Sequence, residues 1–450
     1  MKRTRVVATG VATSLTLALA LAACAPADEE GNGGEAAGTP EAGNITLWLA
    51  GADTNDDLRK YLVDTFAEEN PGSTLTIEEQ DWTDLVTKLT TALPDATNTP
   101  DVVEIGNTQA PTFTYAGAFR EISPELYEEL GGDKLLQSFV DAGSIDDTKY
   151  ALPYYYGSRF MFYRKDIWKK AGLEVPTTLE EFDKSVKELT TKKQSGFAIG
   201  GQDWRNGISW VFANGGELAV KDGDQWTSTL SDPKTVKGLE QWQDVYENAS
   251  NLPATAKDEA YWDFINDGTD GEAPSGATIM APGWARWSIG DMTKGDDGKE
   301  VRDGMADDST YDIFTLPGVD GGVAPVFAGG SNLAVSAKSQ HPELADNLLK
   351  IIYSDEYQTM LAKAGLGPAN SDFDKFMTVD ADGNPNKFGE AAVESAQASK
   401  LTPAAPGWAA VEGASVYEEI FQKIAEGGDV TAIAKEYDAK LTPMLNGQAG

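Results

Sequence analysis

Two side chains that carry much of enzyme and metal chemistry are nearly missing from this 450-residue sequence, which holds one histidine, His341, and one cysteine, Cys24. Ser–His and Cys–His dyads need a base beside the nucleophile, and transition-metal sites need several nitrogen or sulfur ligands at one point. Nucleophilic catalysis and a metal centre are therefore not expected, and no cofactor is implied. His341, before Pro342, is expected to be exposed at a helix start. The run DADGNPNKFGE from Asp380 begins like a calcium-binding loop. It then has Pro385 where glycine is required and Ala391 where a closing glutamate belongs, so it reads as a turn. Carboxylates are plentiful, with 72 Asp and Glu, and counting alone leaves a secreted glycosidase open as an alternative.

Aromatic side chains make the sharper pattern. A pyranose has an apolar C–H face and a rim of hydroxyls, so a site for it needs a flat ring and planar hydrogen-bonding groups. Four of the eleven tryptophans lie in stretches with glycine or proline close by rather than on a helical core stripe: Trp204 in GQDWRNG, Trp284 and Trp287 in APGWARWSI, and Trp408 in AAPGWAAV. They are candidates for stacking on a sugar, and packing at a domain junction is the alternative for each. Arg205, next to Trp204, is suited either to a hydroxyl or acetamide or to a surface ion pair. Trp48, Trp168, Trp210, Trp226, Trp242 and Trp262 are assigned to the fold. Trp82 fits a helix face as well as a crevice.

The elements that must position these residues are legible from residue 44 onward. NITLWLA reads as a strand, DDLRKYLVDTFAEE as a helix with Leu58, Tyr61, Leu62 and Phe66 on one face, and STLTIEE as a second strand. DWTDLVTKLTTALP repeats the helical pattern, PDVVEIG is a third strand, and a short helix follows near 108–116. A β-α-β-α-β-α order predicts an α/β fold with a parallel sheet, whose ligands bind beyond the carboxyl ends of the strands. Those ends place Asp53, Trp82, Asn107 and Gln109 together: a carboxylate, an indole and two amides. Helix capping is the competing role for the polar members. None of the ends is a GxGxxG or Walker loop, so a nucleotide is not expected. Farther on, Thr177-Thr178 followed by Glu180-Glu181 predicts a capped helix. Helical stretches recur at 239–250 and 342–365, and Gly/Asp-rich loops at 267–275 and 291–308.

The beginning of the chain carries an address. Lys2, Arg3 and Arg5 precede an uncharged, largely apolar run to Ala23, the composition of a secretory signal. Its end, Leu21-Ala22-Ala23-Cys24, resembles the bacterial lipobox, which implies cleavage before Cys24 and lipidation of its thiol. Residues 25–43 hold no large apolar side chain and read as a disordered leash reaching on the order of 25 Å. The formal net charge is −36, and removal of residues 1–23 takes three bases with it and leaves −39. Such a surface argues against nucleic acid and against direct adhesion to anionic lipid. With one cysteine there is no disulfide framework, so stability must come from cores; about 400 folded residues suffice for two domains.

Six stretches taken in order resemble the family 1 extracellular solute-binding proteins, the sugar receptors of bacterial ABC importers. They are ITLWLAG; TPDVVEIGNTQAPTFTYAGAFREIS; YALPYYYGSRFMFYRKDIWKKAGLEVPTTLEEF; SGATIMAPGWARWSI; YDIFTLPG with PVFAGGSNLAVSAKSQHPELADNLLKIIYSDEYQ; and PGWAAVEGASVYEEIFQKI. The resemblance implies a two-lobed clamshell, each lobe a mainly parallel sheet flanked by helices, with crossing segments as hinges. Carried over, the first lobe is 44–152 plus 275–328 and the second 153–274 plus 329–450, with crossings near 153, 275 and 329. Of the tryptophans, Trp284 and Trp408 match the family's sugar-stacking segments best. Tyr155, in the triple tyrosine at the first crossing, and Asn332, at the third, join the expected site. Many maltodextrin binders have an acid where Gly157 or a tyrosine stands here, a departure that puts a maltodextrin in doubt. GNTQAPTFTYAGAF is most similar to actinobacterial receptors for chitooligosaccharides.

The implied function is a lipid-anchored, monomeric receptor that captures an oligosaccharide and hands it to membrane permease subunits, without chemistry. A peptide or anion receptor of the same fold is the rival. An anion site would show clustered bases or bare helix N-termini.

Overall fold

The first three strands form where the apolar alternation places them. β1 (Asn44–Ala50), β2 (Thr74–Gln80) and β3 (Val102–Gly106) lie side by side in parallel, with β1 in the middle. Helix Asp56–Glu69 starts at Asn55, whose side chain accepts from the Leu58 N–H, and buries Leu58, Leu62 and Phe66. The computed structural model describes residues 41–267, 272–295, 298–306, 309–380 and 382–448. The signal segment, Cys24 and the linker to residue 40 lie outside them, as do parts of the two Gly/Asp-rich loops. No helix among the described residues is long and apolar enough to cross a membrane.

Beyond β3 comes a small hairpin of β4 (Ser144–Ile145) and β5 (Thr148–Lys149), then β6 (Ala151–Gly157) and β7 (Arg159–Arg164). A second hairpin joins β8 (Ala219–Asp222) and β9 (Gln225–Ser228); β10 (Thr278–Pro282) follows, and then a third hairpin of β11 (Met292–Lys294) and β12 (Glu300–Arg302). The last strands are β13 (Tyr311–Phe314), β14 (Gly329–Val335) and β15 (Gly367–Pro368). One sheet runs β15-β6-β14-β3-β1-β2, the other β10-β7-β13.

These pairings correct the expected lobe boundaries. The sequence reading gave 275–328 to the first lobe and 329–450 to the second. Instead β10 and β13 both pair with β7 in the second sheet, whereas β14 inserts between β3 and β6 in the first. The chain therefore crosses at Ser158, between residues 315 and 328, and again after β15; there is no crossing near 275. The sheets are also less parallel than expected. β14 enters the first sheet antiparallel to both β3 and β6, β15 pairs antiparallel with β6, and the second sheet is antiparallel throughout. A strand that re-enters from the far lobe comes from the opposite end of the sheet, whereas β1 to β3 are joined by helical crossovers that restore direction.

Each lobe has its own core. Leu47, Leu49 and Leu333 meet helices 56–69, 342–352 and 355–363 on one face of the first sheet, while Val103 and Ile105 meet Leu85, Leu89 and Phe113 on the other. The second lobe is held by Trp168, Phe182, Trp210, Trp242, Phe314 and Phe421. Its helix Leu179–Leu189 carries the expected capping box: Thr178 Oγ1 accepts from the Glu181 N–H at 3.2 Å, and Glu181 accepts from the backbone of Thr177 and Thr178. His341 is half-buried rather than exposed, because its ring packs against Gly43, which has no side chain to displace it. The described residues 382–386 turn back on Asp380, as expected of a turn: Asp380 accepts from the Asp382 and Asn384 N–H groups.

Candidate ligand-binding cleft

The carboxyl ends of β1 and β2 converge on one indole. Gly51, at φ +62°, takes a left-handed turn that favours glycine, and a Cβ there would come within 2.9 Å of Trp82 Nε1. Trp82 thus lies against the loop after β1, and its N–H donates to Asp53 Oδ2 at 3.3 Å. The Tyr155 hydroxyl donates to the same oxygen at 3.0 Å, leaving Asp53 Oδ1 with no hydrogen bond among the described residues. Below them Glu104 is fully buried. Its carboxylate accepts from the Ala50 N–H at 2.9 Å and the Ser331 hydroxyl at 2.7 Å, and burial, reinforced by the Asp53 charge, raises its pKa to about 7.

Facing this set, Pro282 ends β10 and the chain turns through Gly283–Ser288. That turn holds Trp284 and Trp287 at 56% and 62% exposure, against 36% for Trp82. Trp284 is fixed by an edge contact with Trp262, ring centroids 5.3 Å apart. Between the two sets lies a cavity of about 860 Å³, lined also by Tyr156, Arg286, Phe376 and Phe388 and by the crossing residues Ser158, Gly329 and Gly330. A Cβ on Gly330 would meet the Tyr155 carbonyl at 2.4 Å, so only glycine lets β14 close on β6 there. A depression of about 720 Å³ near Lys192, Asn251 and Tyr261 belongs to the second lobe alone and has no tryptophan in its lining.

Of the residues expected at the site, Asp53, Trp82, Tyr155, Trp284 and Trp287 come together in this cavity. The other six do not line it. Trp204 and Trp408 are 2% and 0% exposed and pack with Tyr417 in the second core, ring centroids 5.3 to 6.3 Å apart, so neither offers a face to a ligand. Arg205 lies over the Trp204 ring at 4.7 Å and 3.8 Å from Glu412, taking the ion-pair alternative. Glu412 also accepts from Thr108 of the first lobe at 3.0 Å. Asn107 donates to the Ala328 carbonyl at the 315–328 crossing and Asn332, within β14, to the Phe139 carbonyl, both buried: these amides satisfy backbone instead of facing the cavity. Gln109 sits half-buried beside Gly106, outside the cavity lining.

Sequence reasoning missed Arg286, Tyr156 and Phe388. Arg286 had a signal, a cation between two tryptophans in APGWARWSI. Phe388 had none, because it follows the turn at 380–386 and reaches the cleft only through the last crossing.

An indole-lined cavity between two α/β lobes defines a protein that encloses a small molecule in an interlobe cleft. The chain belongs to the bacterial extracellular solute-binding proteins, the family that matches residues 51–359, and members of that family bind solutes without transforming them. It is 33% identical to the diacetylchitobiose binding protein DasA of Streptomyces coelicolor over 450 residues, covering 99% of each chain. In fold it resembles MalE of Xanthomonas citri, with a TM-score of 0.72 at 20% identity over 89% of this chain and 97% of that one. It also resembles the cyclic alpha-maltosyl-1,6-maltose binding protein of Arthrobacter globiformis, with a TM-score of 0.70 at 16% identity, covering 90% and 100% of the two chains.

Proposed function

We propose that this protein is the substrate-binding subunit of an ABC importer, capturing a short oligosaccharide of the chitooligosaccharide type. One observation carries the reading: three exposed indoles, Trp82 from one lobe and Trp284 and Trp287 from the other, face one cavity beside a carboxylate with a free oxygen. Stacked indoles hold the C–H faces of sugar rings, and Asp53 Oδ1 accepts from a hydroxyl. The cavity volume suits a ligand of two or three rings. The 33% identity to a diacetylchitobiose binder supports the choice of sugar.

The lobes close about the crossings at Ser158, 315–328 and 369–386, and closure reports occupancy to the permease. Residues 1–23 direct export, Cys24 bears the lipid and 25–43 form the tether. Thermal unfolding against chitobiose, diacetylchitobiose, cellobiose, maltose, trehalose and xylobiose, with amino acids and phosphate as controls, tests the reading. A bound sugar at a hundred times its Kd adds about 2.7 kcal/mol and raises Tm by a few degrees. A shift from a peptide or an anion, with silence from every sugar, overturns it.

A further inference from the structure

Arg286 has chemistry that stacking and hydroxyl recognition leave unused. Seven arginines lie among the described residues, in a chain with twice as many acids as bases. Five form ion pairs and Arg302 donates to a backbone carbonyl. Arg286 has neither, and its Nε is buried without an acceptor. Its guanidinium carbon sits 4.0 Å from the centroid of Trp287 and 4.6 Å from that of Phe388. Two rings hold the cation in position without supplying a hydrogen-bond acceptor, and among the described residues no oxygen accepts from it. A guanidinium has no neutral form to retreat to, so the donors persist. The terminal N–H groups make no hydrogen bond among the described residues and are not buried, so they are the donors that an acceptor on a ligand can reach.

Arg286 lies in the same turn as both cleft-facing tryptophans of the second lobe, so a ring stacked on either presents its substituents to the guanidinium. Three acceptors are possible on a sugar: a hydroxyl, an amide carbonyl and a carboxylate. A hydroxyl is the weakest match, because it is small, rotates, and also donates. A carboxylate would meet Asp53 and Asp380 in the lining of a protein of net charge −36; of the other bases there, Arg159 is already paired with Asp258 and Lys363 lies over the Phe376 ring. A neutral carbonyl avoids that repulsion, and an adjoining methyl would meet the apolar surface of Phe388 and Met377, both in the lining.

We propose that Arg286 is a specificity-determining residue that donates to the carbonyl oxygen of an acetamido substituent, so that the cleft selects N-acetylated sugars over their unsubstituted counterparts. The proposal rests on the oligosaccharide reading above.

Titration calorimetry of the full chain with diacetylchitobiose and with cellobiose, which has the same β-1,4 linkage and hydroxyls in place of the acetamido groups, tests it. The wild type should prefer diacetylchitobiose by about tenfold or more. In R286M the ratio of the two affinities should fall to within about threefold of one, and R286K, which keeps the charge without the planar fork, should recover part of it. Thermal melting of both variants confirms that they fold. An unchanged ratio in R286M, or an equal loss of both sugars, overturns the role of Arg286 and leaves the sugar reading standing. Tighter binding of cellobiuronic acid, abolished in R286M, assigns the guanidinium to a carboxylate and overturns the acetamide. A wild type that binds neither neutral sugar nor the acid overturns both readings.

Discussion

Trp284 and Trp287 on one hand, and Trp204 and Trp408 on the other, have similar neighbours in the chain and opposite places in the fold. All four stand near glycine or proline. Trp284 and Trp287 sit on a turn that leaves them largely exposed at the cleft, although Gly304 packs against the Trp287 ring and Arg286 lies over it. Trp204 and Trp408 each open a helix of the second lobe, and Phe327 and Tyr417 arrive from elsewhere in the chain to enclose them. A Gly or Pro neighbour announces that the backbone turns. It carries no information about what packs over the turn, and that decides whether an indole serves stability or binding.

The comparison breaks most visibly under mutation. Trp408→Ala should cost about 3–5 kcal/mol of stability, read by denaturant titration, because a fully buried indole leaves a cavity behind. Ligand affinity of the protein that remains folded should change little; a large loss of affinity with normal stability would place Trp408 in the site after all. Trp284→Ala should do the reverse. Affinity should fall by about tenfold to a hundredfold, corresponding to about 1.5–3 kcal/mol of lost apolar contact, while Tm stays near wild type.

Glu104 sharpens the comparison from beneath the cleft. Its native pKa, about 7, lies above the ordinary carboxylate value. Its contribution to stability is therefore fully present below about pH 4.5 and is lost as pH rises through 7. Glu104→Gln keeps an oxygen for the Ala50 N–H and gives the Ser331 hydroxyl a donor. It should raise stability at pH 8 by on the order of 2 kcal/mol, with no gain at pH 4. Melting curves across that range check it, and an equal change at both ends would show that ionisation is not the cause. The smallest effect expected is that of Thr178→Ala. Losing the cap of helix 179–189 should cost about 1 kcal/mol and leave affinity alone, as befits a residue remote from both tryptophan pairs.

Much of the fold was legible because it is locally encoded. The alternation in NITLWLA and the i, i+3, i+4 spacing of Leu58, Leu62 and Phe66 specify a strand and a helix whatever surrounds them. Thr178 and Glu181 complete a capping box within four residues. That Asp53 and Trp82 adjoin has the same origin: once β1 and β2 are parallel neighbours, their carboxyl ends must lie side by side. The lobe boundaries were misread because β10, β13 and β14 have strand-like sequences that fit either sheet. Only the pairing partner, more than a hundred residues away, assigns them.

The sequence by itself therefore determined the chemistry that is scarce, the first βαβ units, and the supply of aromatic and acidic groups from which a cleft could be made. Tertiary structure alone decided which indoles face that cleft, that the Asn107 and Asn332 amide N–H groups donate to backbone carbonyls, and that one arginine has neither an ion pair nor a hydrogen bond among the described residues. The physical reason is the same in each case. Secondary structure follows from interactions within a few residues, whereas burial and hydrogen-bond satisfaction are sums over segments that meet only when the chain has crossed between its lobes.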